Sequence, residues 1–260
     1  MAKPYTTTAL LLRRTAYGDN DLILTFFSRE MGKLSVIAKG ARKSRKRFAG
    51  LLELFSTLQL VVSPPRGRGL ALLTEAEMVD PFPSIRGNVV KTAYASYWTE
   101  LVNRWLEESQ PLEELYLLMV DTFRQLDSSA TGGEASLSVL FQIRFMVLAG
   151  LLPNLTHCDG CRKEMAHIPE ARIAFDLVRC GLLCNSCRTA GAGSSVPSVP
   201  LSKGTIKQLS WQSVGDLARA RRVRLSALAV TEGLHLLERF VPRQLGVEPR
   251  SLKVLRQVRK

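Results

Sequence analysis

Residues 6–38, TTTALLLRRTAYGDNDLILTFFSREMGKLSVIA, decide the fold of the N-terminal part of the chain. They hold three β-type runs, at 6–12, 21–28 and 34–38, separated by turns at 17–20 and 29–33, where Gly32 is available for a positive φ. Two more runs follow, Leu54–Val62 before a proline pair and Leu70–Val79 after two glycines. Five short runs with turns between them predict a small closed barrel, most commonly a five-stranded OB-fold, although another small β-barrel has the same pattern.

The segment between the third and fourth runs is strongly cationic. Residues 39–48 read KGARKSRKRF, with six basic side chains and no acidic one. A solvated loop explains such a run, and so does a phosphate-gripping loop at the rim of an OB barrel. Phe48 and Tyr17 are candidates for base stacking, but core or rim packing also explains a lone aromatic. The DNA-binding residues predicted in this region are Arg13, Arg14, Lys39, Arg42, Lys43, Arg45, Lys46, Arg47, Arg66 and Arg68.

From Ser84 the apolar residues recur at three- and four-residue spacing, as in amphipathic helices. The pattern predicts helices near 84–105, 111–126, 135–149, 205–211 and 225–245, with an uncharged connector at 190–200. A second group of predicted DNA-binding residues, Arg219, Arg221, Arg222 and Arg224, precedes the last helix, and a basic tail runs from Arg250 to Lys260. Solvated charge explains both features, and a second surface for DNA or an acidic peptide is the functional interpretation.

Four of the five cysteines form two CxxC pairs, Cys158/Cys161 and Cys184/Cys187, with 22 residues between them. Two such turns are typical of a zinc ribbon or knuckle, because each directs two thiolates at one tetrahedral ion. A thiol redox motif uses a single CxxC at a helix start and is the competing interpretation. We therefore predict one structural Zn²⁺ per chain, with no open position for water. Cys180 is predicted to stay a free thiol, with a Cys180/Cys184 pairing as the alternative.

The net charge of +13 is unevenly distributed, with +6 in residues 1–80, −2 in 81–200 and +9 in 201–260. Basic ends favour a nucleic-acid partner, although solubility or an anionic lipid surface also explains them. No apolar stretch approaches the length of a membrane span, and the first residues lack the layout of a signal peptide. We expect a cytoplasmic protein with no membrane partner. The sequence contains no P-loop, HExxH or GxSxG motif, so no catalytic residue is assigned and an enzyme is not expected.

Three longer stretches resemble the bacterial RecO family. They are residues 11–60, which begin LLRRTAYGDND, Tyr94–Leu101 (YASYWTEL) and Phe145–Cys161 (FMVLAGLLPNLTHCDGC). The resemblance covers about residues 5–190 and weakens in the tail. One departure is Cys180-Gly181, where many relatives have a glycine pair before the second CxxC.

The resemblance implies a recombination mediator that binds single- and double-stranded DNA. Such a protein anneals strands coated by single-strand-binding protein and helps to load the RecA recombinase. The implied partners are RecR and the acidic C-terminal tail of single-strand-binding protein. The alternative function is that of a zinc-ribbon, OB-fold protein associated with RNA or transcription. The alternative among enzymes is a thiol oxidoreductase or a metal nuclease.

The predicted architecture is α+β, with an OB-fold barrel followed by a helical domain that carries an inserted four-cysteine zinc ribbon or knuckle. The predicted domains are the barrel at 1–80, the first helical part at 81–156, the zinc-binding insertion at 157–190 and the second helical part at 191–260.

Overall fold

The computed structural model describes residues 3–44, 46–65, 67, 69–129, 132–190 and 197–259. These residues form two compact units. The first unit falls within Met1–Ser129 and Pro249–Lys260, and the second within Ala130–Glu248. The four-part domain division above stays a prediction. Within the described ranges, no helix is long and apolar enough to cross a membrane.

The N-terminal strands close into a barrel. They are β1 (Tyr5–Tyr17), β2 (Asp21–Ser28), β3 (Gly32–Ala38), β4 (Thr57–Ser63) and β5 (Ala71–Asp80). Their order is β1-β2-β3-β5-β4, and β4 pairs back with β1. The β3–β5 pairing is parallel and the other four are antiparallel. This barrel, followed by a helical region, confirms the predicted fold class.

Strand β1 continues beyond the predicted run to Tyr17, still paired with β2, and it contains a β-bulge. The pairing with β2 shifts register between Leu11 and Arg13, so Leu12 is an extra residue. A bulge bends its strand and changes where the next side chains point. As a result, Leu10, Leu11 and Leu12 are all buried, and Arg13 and Arg14 lie on a paired strand rather than in a loop.

The barrel core is formed mainly by alternate residues of the strands, including Leu24, Phe26, Val36 and Leu58. The segment between β3 and β4 also contributes to this core. Its Phe48 is only 3% exposed. Of the two interpretations of Phe48, the structure supports core packing rather than base stacking, because its ring is buried among the apolar residues of the barrel.

The helices that follow are, in chain order, α1 (Pro83–Gly87), α2 (Val89–Trp105), α3 (Glu113–Ser128), α4 (Glu134–Leu148), α5 (Asn185–Ala190), α6 (Lys203–Ser213), α7 (Leu217–Arg221), α8 (Ala227–Gln244) and α9 (Arg250–Val258). The predicted helix at 84–105 is interrupted at Asn88, whose backbone is extended and whose side chain accepts hydrogen bonds from the amides of Val90 and Lys91. Asparagine is a favoured N-cap, so it begins α2 there.

The predicted basic tail is not a solvated extension. Residues Arg250–Val258 form α9, which packs on α2 in the first unit. Leu252 and Leu255 are fully buried. These two leucines are three residues apart, as on one face of a helix, but they stand among basic residues of the tail. A pattern this short does not predict a helix without its packing partner.

The second unit contains a four-stranded sheet, formed by β6 (Asn154–Cys158), β7 (Arg172–Asp176), β8 (Gly181–Leu183) and β9 (Ser198–Ser202). Their order is β6-β8-β7-β9. Helices α4, α6 and α8 pack against one another beside it, and Phe240 of α8 meets Phe175 of β7 edge to face at 5.4 Å between centroids. The predicted connector at 190–200 is wrong at its C-terminal end, because β9 begins at Ser198 and pairs with β7. Residues 191–196 lie outside the described residues.

Candidate functional site

The four cysteines of the two CxxC turns come together in the second unit. Cys158 ends β6, Cys161 follows it in a turn, and Cys184 and Cys187 lie after β8 and in α5. Their Sγ atoms all lie within 4.8 Å of one another. The Sγ atom of Cys184 is 3.7 Å from that of Cys158 and 3.8 Å from that of Cys161. Sulfur ligands of a tetrahedral zinc, with Zn–S bonds of about 2.3 Å, are about 3.8 Å apart. The geometry is therefore compatible with a bound zinc ion.

Two glycines permit this close approach. A Cβ at Gly160 would lie 2.7 Å from the Sγ of Cys187, and a Cβ at Gly181 would lie 1.9 Å from Oδ2 of Asp159. Both distances are below any ordinary contact, so larger residues there would push the two CxxC turns apart. Asp159 is itself held by the side-chain amide of Asn154, which donates to Oδ1 at 2.6 Å.

The surroundings of the cluster shift the pKa values of two of its thiols in opposite directions. Burial alone would raise the pKa of Cys158, but backbone N–H groups of Cys161, Cys184 and Gly160 point at its sulfur and lower the pKa to about 6. Hydrogen bonds to the sulfurs of Cys184 and Cys161 raise the pKa of Cys187 to about 12. Four adjacent thiolates repel one another, and a divalent cation would remove that repulsion. The donor set and its charge therefore suit a soft dication.

Cys180 does not belong to the cluster, as predicted, and the alternative pairing with Cys184 is not supported. Its sulfur accepts a hydrogen bond of 3.1 Å from Nε2 of Gln244. Its backbone has φ 61, in the left-handed region that favours glycine. This conformation gives a physical reason for the glycine expected at that position in relatives.

The cationic residues predicted on the barrel are exposed wherever they are described. Described and exposed are Arg13, Arg14, Lys39, Arg42, Lys43, Lys46 and Arg47. The predicted residues Arg45, Arg66 and Arg68 lie outside the described residues. Arg47 donates to the carbonyl of Lys39 at 2.5 Å and lies 4.4 Å above the ring of Phe48, which is buried in the barrel core.

The second predicted cationic group belongs to the other unit. Arg219 and Arg221 are on α7, Arg222 and Arg224 follow it, and all four are exposed. Exposed cations on both units match the charge distribution of the sequence. Their role as DNA contacts stays a prediction.

One cationic residue was missed by sequence reasoning. Arg86, on α1, lines a cavity of about 470 Å³ together with Arg14 and Arg42. A single arginine beside a proline-rich turn has no neighbouring charge to mark it in the sequence. Only the packing of α1 beside the barrel brings it to the other two.

Two family models match the chain. The model described as Recombination protein O N terminal matches residues 1–82, and the model described as Recombination protein O C terminal matches residues 86–253. The chain is 44% identical over 257 residues to the DNA repair protein RecO of Desulfosudis oleivorans, with 98% of each chain covered. It is 41% identical over 258 residues to the DNA repair protein RecO of Desulfatibacillum aliphaticivorans, covering 99% of this chain and 98% of the other. It is 35% identical to that of Syntrophus aciditrophicus, covering 98% and 96%.

Proposed function

Because the chain belongs to the RecO family of DNA repair proteins, we propose that it is a DNA-binding recombination mediator. In this role it binds single- and double-stranded DNA and anneals complementary strands. It also helps to load the RecA recombinase on strands coated by single-strand-binding protein. Its direct partners are RecR and the acidic C-terminal tail of single-strand-binding protein, and its effect on RecA is indirect. The alternative role in RNA metabolism or transcription has no observation in its favour.

The observation that carries this proposal is the exposed cationic segment on a closed OB-type barrel. Four of its described side chains, Arg42, Lys43, Lys46 and Arg47, are exposed within six residues of one another. Cations that neutralise phosphates release condensed counterions, which favours binding to any sequence. OB barrels present nucleic acid with this combination of basic loops and strands. The expected binding is therefore strong at low salt and independent of base sequence.

Strand annealing needs charge neutralisation more than bond chemistry. Two DNA strands repel each other, and cations on the protein reduce that repulsion. The barrel group and the group from Arg219 to Arg224 lie on different compact units. In the proposed mechanism each group binds a DNA strand or duplex segment, and base pairing between the strands then supplies the specificity.

The cysteine cluster would hold one Zn²⁺ with a structural role. Cys158 ends β6 and Cys161 follows it, while Cys184 and Cys187 follow β8. One ion bound by all four would therefore connect the two strand ends at this side of the sheet. Bound zinc supplies folding free energy to such a site. Four thiolates complete a tetrahedral shell and leave no position for a reactive water. This argues against a metal nuclease at the cluster, and we propose that the protein has no catalytic residues and works on DNA in the cytoplasm, beside the nucleoid.

The test is annealing of complementary strands that are first coated with cognate single-strand-binding protein. The proposal expects the chain to accelerate annealing, and the acceleration to be lost when the partner lacks its acidic tail. A variant with Lys43→Glu and Lys46→Glu should be slower, whereas Arg124→Gln, on α3 outside the predicted DNA-binding residues, should match the wild type. If the chain binds DNA tightly but does not accelerate annealing, the mediator function is contradicted.

A further inference from the structure

We propose that Arg14, Arg42 and Arg86 form a pre-organised pocket that binds one phosphate group of a DNA strand, with the attached sugar or base on the apolar floor of the cavity. The inference rests on the proposed DNA-binding function and adds a defined subsite to it. The same three arginines line one cavity of about 470 Å³. That volume is within the range of small-ligand sites.

Each of the three guanidinium groups is anchored by backbone oxygen atoms. Nη1 of Arg14 donates to the carbonyl of Leu52 at 3.1 Å, and Nη1 of Arg86 donates to the carbonyl of Leu54 at 3.2 Å. Nη1 of Arg42 donates to the carbonyls of Gly18 and Asp19 at 3.3 and 3.1 Å. Because one nitrogen of each group is already held, the remaining N–H donors need little ordering when an anion enters.

The turn that supplies two of these anchors has a strained backbone. Phe55 has φ 72, a left-handed conformation that is rare for a bulky residue. Its ring packs edge to face on Phe123 at 5.8 Å between centroids, and its amide donates to the carbonyl of Leu11 at 3.2 Å. These contacts hold the strained turn in place. Such outliers are concentrated where a precise arrangement is functional, and here the turn positions the carbonyls that orient Arg14 and Arg86.

The cavity has an apolar floor and, among its described lining residues, a single acidic side chain. Leu22, Leu54 and Phe55 provide the apolar part. The acid is Glu53, whose carboxylate lies 3.5 Å from Nη1 of Arg14. Both side chains of that ion pair are more than 40% exposed, so the pair is weak and an entering phosphate can replace it. The charge of the lining therefore favours an anion that carries an apolar or flat group.

The pocket borders the usual path of a strand across an OB barrel. That path lies over β2 and β3 and between the β1–β2 and β4–β5 loops. The pocket is lined by β1, by Leu22 of β2, by the segment between β3 and β4, and by α1 and α2. Its Arg42 is anchored on the β1–β2 loop. A strand that follows the usual path past the β1–β2 loop therefore reaches the pocket on the side of α1 and α2.

The experiment measures binding of a fluorescent oligothymidylate to the full chain over a range of salt concentrations. For single strands the slope of log K against log salt changes by about 0.7 for each phosphate that the protein no longer neutralises. Arg86→Gln should therefore reduce the slope by about 0.7 and weaken binding several-fold at low salt. The matched control is Arg124→Gln, which removes an exposed cation from the same unit and should leave the slope unchanged.

A second variant keeps the test valid if Arg86→Gln perturbs the turn. Glu53→Gln removes the acidic side chain of the lining, so it should tighten binding of the oligonucleotide, a gain that misfolding does not produce. An Arg86→Gln variant that folds and binds with unchanged slope would overturn the pocket. The pocket would also be overturned if Glu53→Gln tightened binding of an acidic peptide but left binding of the oligonucleotide unchanged. Absence of binding by the wild-type chain would instead overturn the proposed DNA-binding function itself.

Discussion

The C-terminal helix α9 is held by one carboxylate of α2, and replacing it should release the helix. Oε2 of Glu100 accepts hydrogen bonds from the amide and hydroxyl of Ser251, at 2.9 and 2.5 Å. Oε1 accepts from the amide of Arg250 at 3.2 Å and from Nε of Arg104 at 3.0 Å. The residue before the helix is Pro249, which gives no side-chain cap. Glu100 therefore takes over the role of an N-cap from a distant position in the chain.

The change Glu100→Gln places an amide N–H₂ group against hydrogen-bond donors in either orientation. It should remove one hydrogen bond to a charged group, about 1.5–3 kcal/mol, together with the favourable charge at a helix N-terminus, about 0.3–1 kcal/mol. The Glu100 side chain is 22% exposed, and water offsets part of this loss. We expect docking of α9 to weaken by about 2 kcal/mol, which is about a 30-fold rise in the undocked population.

Limited trypsin digestion measures that population, because cleavage after Lys253 and Arg256 requires the helix to open. The rate should rise about 30-fold in Glu100→Gln and stay unchanged in Glu107→Gln, which removes the same charge from an exposed position just after α2. A rate within twofold of the wild type would refute the assignment of Glu100 as the anchor.

The pH dependence gives an independent check of the same contact. Burial disfavours the carboxylate, but hydrogen bonds from Ser251, Arg104 and Arg250 outweigh it and lower the pKa of Glu100. A group whose pKa is lower in the folded state contributes stability above its unfolded pKa, about 4.3, and loses it as the pH falls through the folded value. The difference in urea stability between wild type and Glu100→Gln should therefore be full at pH 7 and shrink as the pH falls through the unfolded pKa and then the lower folded pKa of Glu100. A difference that did not change with pH would contradict the role of the charge.

Four further outcomes are expected. Elemental analysis of the purified protein should find about one zinc ion per chain. The Cys184→Ser variant should lose the zinc, and calorimetry should show a lower melting temperature for its second unit, whereas Cys180→Ser should keep the zinc. Cys180→Gly should raise the free energy of urea unfolding by about 1 kcal/mol, because φ 61 strains a residue with a Cβ; a decrease would mean that the contact with Gln244 matters more. Lys43→Glu with Lys46→Glu should reduce the salt slope of single-strand binding by about 1.4, measured by fluorescence anisotropy, and an unchanged slope would remove these residues from the interface. Phe48→Ala should destabilise the first unit by about 3–5 kcal/mol in a denaturation experiment; unchanged stability with weaker DNA binding would instead support base stacking.

Much of the fold is readable from the sequence, because strands and helices have local periods. The runs at 6–12, 21–28 and 34–38 correspond to β1, β2 and β3, and the predicted helix at 135–149 corresponds to α4 within one residue at each end. The errors have local causes as well. Residues 13–17 of β1 are exposed and lack the apolar alternation that marks a strand, although they pair with β2. The side chain of Asn88 divided one predicted helix into two.

The cysteine cluster was the most predictable part of the candidate sites. Two CxxC turns are short-range patterns, and the chemistry of thiolates leaves few ways to use four of them together. The structure adds the distances, the need for Gly160 and Gly181 at the points of closest approach, and the reason why Cys180 stays outside the cluster.

By itself, the sequence determined the barrel, the helical region, the four metal-ligand candidates and the excess of positive charge at the two ends. These properties depend on residue type and on spacing along the chain. Only the tertiary structure decided that Phe48 is buried in the barrel core, that Arg86 joins Arg14 and Arg42 around one cavity, and that Glu100 anchors the C-terminal helix. Each of these contacts joins residues far apart in sequence, and such proximity results from chain packing, which no local pattern encodes.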